Sequence, residues 1–254
     1  MARQKILLFD IETTPIIGYT WGKWEQNVID FIAHSHLLSW SAKWLGGKQV
    51  TKGLIDYPGY AKNKDSDQAL VKEIWGLLDQ ADIIVAHNGK AFDTKKVNAR
   101  FSYWQLPPPS PYKQVDTKEM AKRYFAYTSN SLNDIADYLG IGRKLAHSGF
   151  DLWKRCMAGD EDAWVEMKRY NAQDVKLLEA IYLRMLPYMA NHPVVAQDDT
   201  TCPKCGSDNL QRRGEARTLA RIYQRFQCLS CGGWGRYPKA VAAVAANRNM
   251  GAAA

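Results

Sequence analysis

Residues 5–13, KILLFDIET, constrain this chain more than any other stretch. Ile6, Leu7, Leu8 and Phe9 form a short apolar run, the composition of a buried strand, that leads straight into two acids, Asp10 and Glu12. Side chains two apart on a strand share a face, so both carboxylates project together beside that run. Like charges crowded where water is scarce repel each other and lose hydration unless a cation sits between them. Taken alone, the Asp-x-Glu pair reads equally well as two solvent-facing charges on an edge strand. The acids further along the chain decide the matter.

Residues 36–44 and 48–55 alternate as strands, joined by a hairpin turn at Gly46-Gly47. Trp21, Trp24, Trp40 and Trp44 are read as core and sheet packing in preference to base stacking. Apolar residues at helical spacing predict a helix over 66–80, capped by Ser66 or Asp67. A short strand, IIVAH, turns at Asn88-Gly89 into a helix over about 91–103, with Asp93 in the first turn, where the helix dipole favours an acid. His87 is read as a packed strand-end residue rather than a metal ligand. LPPPSP at 106–111 is a rigid surface loop. Asp116 ends the next strand and is read as the cap of the helix after it, in preference to a metal role. Ser131 caps a further helix that Gly140 closes. A long helix spans about 161–186, with Trp164, Met167, Leu177, Leu178, Ile181 and Met185 as its apolar positions. Tyr170 and Asp174 lie one turn apart on one face of it, and neither Arg169 nor Lys176 is placed to pair with that acid.

FDIET at 9–13, HNGKAFD at 87–93 and YNAQD at 170–174 occur in this order, and together they resemble the motifs of the DEDD (DnaQ-like) 3′–5′ exonucleases, which include polymerase proofreading domains. The Tyr-x-x-x-Asp spacing resembles the tyrosine branch, DEDDy, and the second segment is similar to family B polymerase exonuclease domains and phage-type nucleases. The resemblance covers residues 5 to about 186. It implies an α/β, ribonuclease H-like fold: a mixed five-stranded sheet flanked by helices. It also implies two Mg²⁺ or Mn²⁺ ions, hard cations that carboxylate oxygens suit and that serve two-metal phosphodiester hydrolysis. On this resemblance Asp10 bridges both ions, Glu12 and Asp174 complete the first site, and Asp93 serves the second. Tyr170 would orient the attacking water, and Asn88 and Phe92 would contact the 3′-terminal nucleotides, Phe92 by stacking. The expected products are nucleoside 5′-monophosphates.

The end of the chain reads differently. Cys202-x2-Cys205 and Cys228-x2-Cys231, with 22 residues between the pairs, have the spacing of a structural zinc site, with Gly206, Gly232 and Gly233 permitting tight turns. Disulfides are the weaker alternative. The segment resembles a zinc ribbon holding one Zn²⁺, which would supply most of its folding free energy. Two strands are expected between the pairs, where Arg212, Arg213, Arg217, Arg221 and Arg225 interleave with Tyr223 and Phe226, the composition of a nucleic-acid grip. The fifth cysteine, Cys156, is read as a small buried hydrophobe. Charge agrees: residues 201–254 hold nine Lys or Arg against two Asp or Glu, whereas the first 200 residues are nearly balanced.

The expected organisation is an exonuclease domain over 1–187, a linker over 188–200, a zinc ribbon over 201–239 and an Ala-rich tail over 240–254, the last a frayed helix or unstructured. No apolar run approaches a membrane span and the N-terminus makes a poor signal peptide, so no membrane partner and a cytoplasmic location are expected. The expected activity is 3′–5′ exonucleolysis of single-stranded nucleic acid, DNA in preference to RNA, with a polymerase or repair partner conceivable. Two alternatives stand beside it: a nucleic-acid-binding protein with an inactive nuclease fold, and a structure-specific endonuclease.

Overall fold

The computed structural model describes residues 4–24 and 27–243 and divides into two compact units, Lys5–Tyr182 and a second beginning at Leu183. In chain order the first unit runs β1 (Ile6–Thr13), β2 (Ile17–Tyr19), β3 (Asp30–Ala33), β4 (Leu37–Trp44), β5 (Gln49–Gly53), α1 (Gln68–Asp79), β6 (Ile83–Ala86), α2 (Asp93–Tyr103), β7 (Lys113–Asp116), α3 (Thr117–Tyr124), α4 (Leu132–Tyr138), α5 (Phe150–Ala158) and most of α6 (Glu161–Met185). Its main sheet has the order β5-β4-β1-β6-β7, with β4 antiparallel to both neighbours and β1, β6 and β7 parallel. This is the mixed, helix-flanked ribonuclease H-like sheet expected from the sequence. Parallel neighbours need long crossovers, and α1 and α2 lie on those that lead to β6 and β7. β1 is central and its apolar run, Leu7, Leu8 and Phe9, is fully buried, as a strand covered on both faces must be.

The core gathers Leu7, Phe9, Trp40, Leu70, Ile74, Ile84, Val97, Trp164 and Met167. Trp164 packs on Gly53, where an added Cβ would lie 2.9 Å from the indole, so the end of β5 has no room for a side chain. Asp67 stands at the N-cap of α1 but does not cap it. Its buried carboxylate accepts from Arg100 Nη2 at 2.6 Å, Arg100 Nε at 2.7 Å, Trp104 Nε1 at 2.7 Å and Leu37 N at 2.9 Å, which ties α2 to the start of β4. The tryptophans also divide: Trp40 is buried, but Trp21 and Trp24 are 90% and 75% exposed on the segment joining β2 to β3. That small hairpin lies outside the main sheet, so Trp21 and Trp24 are not covered by the core.

The second unit holds a three-stranded antiparallel sheet, β8 (Leu210–Arg217), β9 (Arg221–Cys228) and β10 (Trp234–Ala243), with β9 in the middle. The first two are the strands expected between the cysteine pairs. The third corrects the expected tail: Ala240–Ala243 continue β10 instead of beginning a helix, and 244–254 lie outside the described residues. In the stretch read as a linker, Met189 and Val195 are buried, and Val195 N donates to Pro203 O at 2.7 Å. Among the described residues, no helix is long and apolar enough to cross a membrane.

Candidate active site

The end of β1 owes its chemistry to an imbalance between its neighbours. β4 pairs along β1 to Thr13, setting Asp10 opposite Ser41 and Glu12 opposite Ser39. β6 pairs with β1 only as far as Leu8, leaving the rest of that edge without a strand. The Ile11 N–H on that bare edge is taken by the Asp93 carboxylate at 3.1 Å, so the acid at the start of α2 replaces a missing ladder bond. The chain reaches Asp93 through a tight turn: Asn88 takes a positive φ of 65°, and Gly89 passes so close to Ala86 that a Cβ would lie 2.4 Å from it. Asp116 holds this turn as well as its own helix, accepting from Asn88 N and Lys90 N and from Lys118 N and Glu119 N. Its structural role is therefore the one expected. His87, bonded to Thr117 Oγ1 and Asn130 O, is likewise a packed strand-end residue.

Asp174 reaches the same place from α6, whose buried stripe steps through Trp164, Met167, Asn171, Asp174, Leu178 and Ile181. Carboxylate oxygens of Asp10, Glu12 and Asp174 all lie within 4.8 Å of one another, with Asp93 beside them but outside that distance. Two further side chains complete the cluster, Asn171 from within the YNAQD segment and Lys144 from outside any motif. Asn171, fully buried, donates to Asp10 Oδ2 at 2.6 Å and accepts from Ser39 Oγ at 3.2 Å. Lys144, on the loop between α4 and α5, places its ammonium 2.5 Å from Asp174 Oδ2 and 3.1 Å from the Tyr170 hydroxyl. Asn171 is legible in principle, since it falls on the apolar stripe of α6. Lys144 carries no periodic signal at all.

The electrostatics are those of a cation site. Burial, then the neighbouring carboxylates, raise Asp10 well above the ordinary range. Burial and Asp174 push Glu12 up to about 8. Burial pushes Asp93 up to about 7 against the pull of the Ile11 N–H. Asp174 is raised by burial, with Lys144 opposing. Burial disfavours the Lys144 charge, but Asp174 and Tyr170 outweigh it and hold the ammonium protonated. The Tyr170 hydroxyl is pushed up to about 12, first by burial and then by Asp174, which keeps it protonated. Asp174 Oδ1 is buried without a hydrogen-bond partner among the described residues, an acceptor left open at the centre of the cluster. An oxygen-only donor set with an open acceptor and raised carboxylates fits a hard divalent ion.

Two clefts meet at Thr13. One, of about 350 Å³, is lined by Ile16, His34, Lys96, Arg100 and Tyr103, and the other, of about 400 Å³, by Thr14, Pro15, His147, Phe150 and Trp153. Tyr170 is held by His147, edge-on at 4.7 Å, as well as by Lys144. Phe92 precedes Asp93 at the start of α2, 39% exposed, with Lys96 Nζ 5.7 Å from its ring, and Asn88 is half-buried in the turn before it.

In the second unit the four cysteines converge, with Sγ–Sγ distances of 3.8 Å for Cys202–Cys231 and 3.6 Å for Cys205–Cys228. Four sulfurs at about 2.3 Å from a tetrahedral zinc stand about 3.8 Å apart, and a disulfide would need about 2.05 Å. The two knuckles are built alike: Gly206 N bonds Cys202 O and Gly232 N bonds Cys228 O, both at 2.8 Å, with both glycines at positive φ. Gly233 is needed for space instead, since a Cβ there would meet Cys231 Sγ at 3.2 Å. Arg212, Arg213, Arg217, Arg221 and Arg225 are exposed and Tyr223 is half-buried. Phe226 corrects the expected base contact: it is 3% exposed, under Tyr237 and against Gly235, and serves as the small core of this unit.

A mixed sheet with clustered acids where its central strand outruns a neighbour defines a nuclease fold of the ribonuclease H type. The family model of the RNase_H superfamily matches residues 41–186, more than half of the chain, and the chain belongs to that superfamily. Among solved structures it is similar to the family B DNA polymerase from the hyperthermophilic archaeon Pyrobaculum calidifontis, with a TM-score of 0.52 and 14% identity over 89% of this chain. The chain spans 33% of that polymerase's length, and at such identity the likeness is one of fold. No curated protein matches the sequence.

Proposed function

We propose that the first unit is a metal-dependent 3′–5′ exonuclease acting on single-stranded nucleic acid, DNA in preference to RNA, and that the second assists in holding the substrate. The observation that carries this reading is the convergence of Asp10, Glu12 and Asp174 within 4.8 Å around an unpartnered Asp174 oxygen, with Tyr170 one helical turn away. Two divalent ions, Mg²⁺ or Mn²⁺, would be held by Asp10, Glu12, Asp174 and Asp93, and would supply charge neutralisation and acidify the attacking water. The chain's own groups then position the reactants. Asn171 fixes the Asp10 carboxylate, Lys144 fixes the Tyr170 hydroxyl and His147 packs on its ring, so that the hydroxyl can orient the water. Water adds to the terminal phosphorus as the bond to the 3′ oxygen of the preceding nucleotide breaks. A nucleoside 5′-monophosphate leaves, and the shortened strand keeps a 3′ hydroxyl. Phe92 and Asn88 are positioned to contact the last nucleotides. The preference for DNA takes its support from the fold likeness to a DNA polymerase, and a polymerase or repair partner is part of this proposal. Cys202, Cys205, Cys228 and Cys231 would hold one Zn²⁺.

The test is degradation of 5′-labelled single-stranded DNA and RNA with Mg²⁺ or Mn²⁺, beside Asp10→Ala. A ladder shrinking from the 3′ end, blocked by a 3′-phosphate and absent in the variant, is the expected result. Internal cuts independent of the 3′ end would move the assignment to an endonuclease, and no cleavage of either strand would sink the enzyme.

A further inference from the structure

The ribbon sheet separates its residues into two unlike faces. β9 is regular, so Tyr223, Arg225 and Gln227 lie on one side and Phe226 and Cys228 on the other. Register places Trp234 of β10 opposite Gln227 and Arg236 opposite Arg225, and Arg213 of β8 bonds Gln227. The face opposite the Phe226 core therefore carries a row, Arg213–Arg225–Arg236, across three strands, about 10 Å by strand spacing. The row is interleaved with rings: Arg225 lies 4.8 Å and Arg213 5.8 Å from Trp234, and Arg236 lies 4.1 Å from Tyr223. Arg225 Nε also donates to Arg213 O at 3.0 Å. Among the described residues none of the three guanidiniums has an acidic partner, since Glu215 pairs with Arg217. Arg212 leans on Tyr237 on the core side.

We propose that this face is a platform for single-stranded nucleic acid, with phosphates taken by Arg213, Arg225 and Arg236 and bases by Trp234 and Tyr223. The proposal rests on the nuclease reading only for its relevance, not for its chemistry. Three like charges held together without a counter-charge favour a polyanion. Guanidiniums that lie over rings still present N–H edges outward for phosphate oxygens. Trp234 is 46% exposed, and an exposed ring selects unpaired strands because a duplex keeps its base faces stacked inside. An acidic protein would match the charge but has no use for the rings.

The test is fluorescence anisotropy of labelled dT20 and rU20, a matching duplex and poly-glutamate against the zinc-loaded full chain, without other divalent ions, at several salt concentrations. Arg225→Ala/Arg236→Ala is expected to weaken dT20 binding at least tenfold and to flatten the salt slope by roughly 0.7 per lost contact. Trp234→Ala is expected to weaken single strands about tenfold and the duplex far less. Lys122→Ala/Lys154→Ala, which removes two exposed charges elsewhere, controls for net charge, and one zinc per chain confirms that each variant is folded. Unchanged affinity in the zinc-loaded variants, or duplex or poly-glutamate bound as tightly as dT20, would overturn the platform. Wild-type hydrolysis of dT20 with Mn²⁺ is scored separately. Binding that depends on this face without hydrolysis sinks the nuclease reading alone. Hydrolysis with binding indifferent to these substitutions sinks the platform alone.

Discussion

The acid cluster and the cysteine cluster each gather like-charged metal donors, yet the two depend on metal for different things. The acids sit at the end of a strand embedded in an extensive core, and protein donors already fix them: Asn171 on Asp10, the Ile11 N–H on Asp93 and Lys144 on Asp174. The cysteines sit at the end of a three-stranded sheet whose buried apolar side chains from residue 201 onward, among the described residues, are Cys202, Phe226 and Cys228. The first site is built by its fold, whereas the second has too little core to build its own. On the proposed reading, metal at the first would serve chemistry and zinc at the second stability.

The sharpest break would come from Cys228→Ser. Apparent zinc binding in small structural sites is worth about 10–16 kcal/mol, more than so small a core can replace. Zinc per chain should fall from one to near zero, and limited proteolysis should clear the residues after Leu183 while Lys5–Tyr182 survives. A ribbon that stays protected without zinc would remove the contrast.

At the acid site the signs reverse, because metal-free carboxylates oppose folding instead of supporting it. Glu12 at about 8 and Asp93 at about 7 are both raised above their unfolded values. The folded chain thus holds protons that the unfolded chain has already released. Metal-free stability should be greatest in acid and fall as pH rises from about 4 towards 8. Mg²⁺ should recover the loss, raising Tm more at pH 8 than at pH 5. Asp10→Asn should flatten the metal-free profile and raise Tm by a few degrees, while lowering hydrolysis on the order of 10³-fold or more. A metal-free Tm that climbs with pH would contradict the burial and repulsion assigned to these carboxylates.

How much of this was legible depends on how each residue announces itself. Asp10, Glu12 and Asp93 stand next to strands whose period is short and strong, and the Cys-x2-Cys pairs have a spacing that chemistry restricts. The sheet and the gathering of the four cysteines could be read from these, and the approach of Asp174 to Asp10 and Glu12 followed from the motif resemblance. Asp67 looked like a cap because capping is local, and only the tertiary approach of Arg100 and Trp104 recruits it elsewhere. Phe226 looked like a base-stacking aromatic because composition does not say which side of a sheet is covered. The end of β10, Ala240–Ala243, was read as tail because Ala-rich sequence favours helix, and pairing along β9 outweighs that preference.

Lys144 is the least legible residue and gives the smallest, most discriminating prediction. Its ammonium lies against Asp174 and bonds the Tyr170 hydroxyl, and on the proposed reading it would share the charge of Asp174 with a metal ion. Removing it with Lys144→Met should have two opposed effects. Asp174 loses its competing cation, so half-saturation by Mn²⁺ should occur at lower concentration. Tyr170 loses a donor that fixes its hydroxyl, so turnover should drop by about 10- to 100-fold, the usual cost of removing a group that orients a metal site. Arginine at this position would keep the charge but not the compact reach, and should restore metal-free stability better than turnover. If Lys144 were only a surface partner of Asp174, metal affinity and turnover would move together or not at all. The split between them separates a residue that shares work with the metal from one that merely decorates the helix.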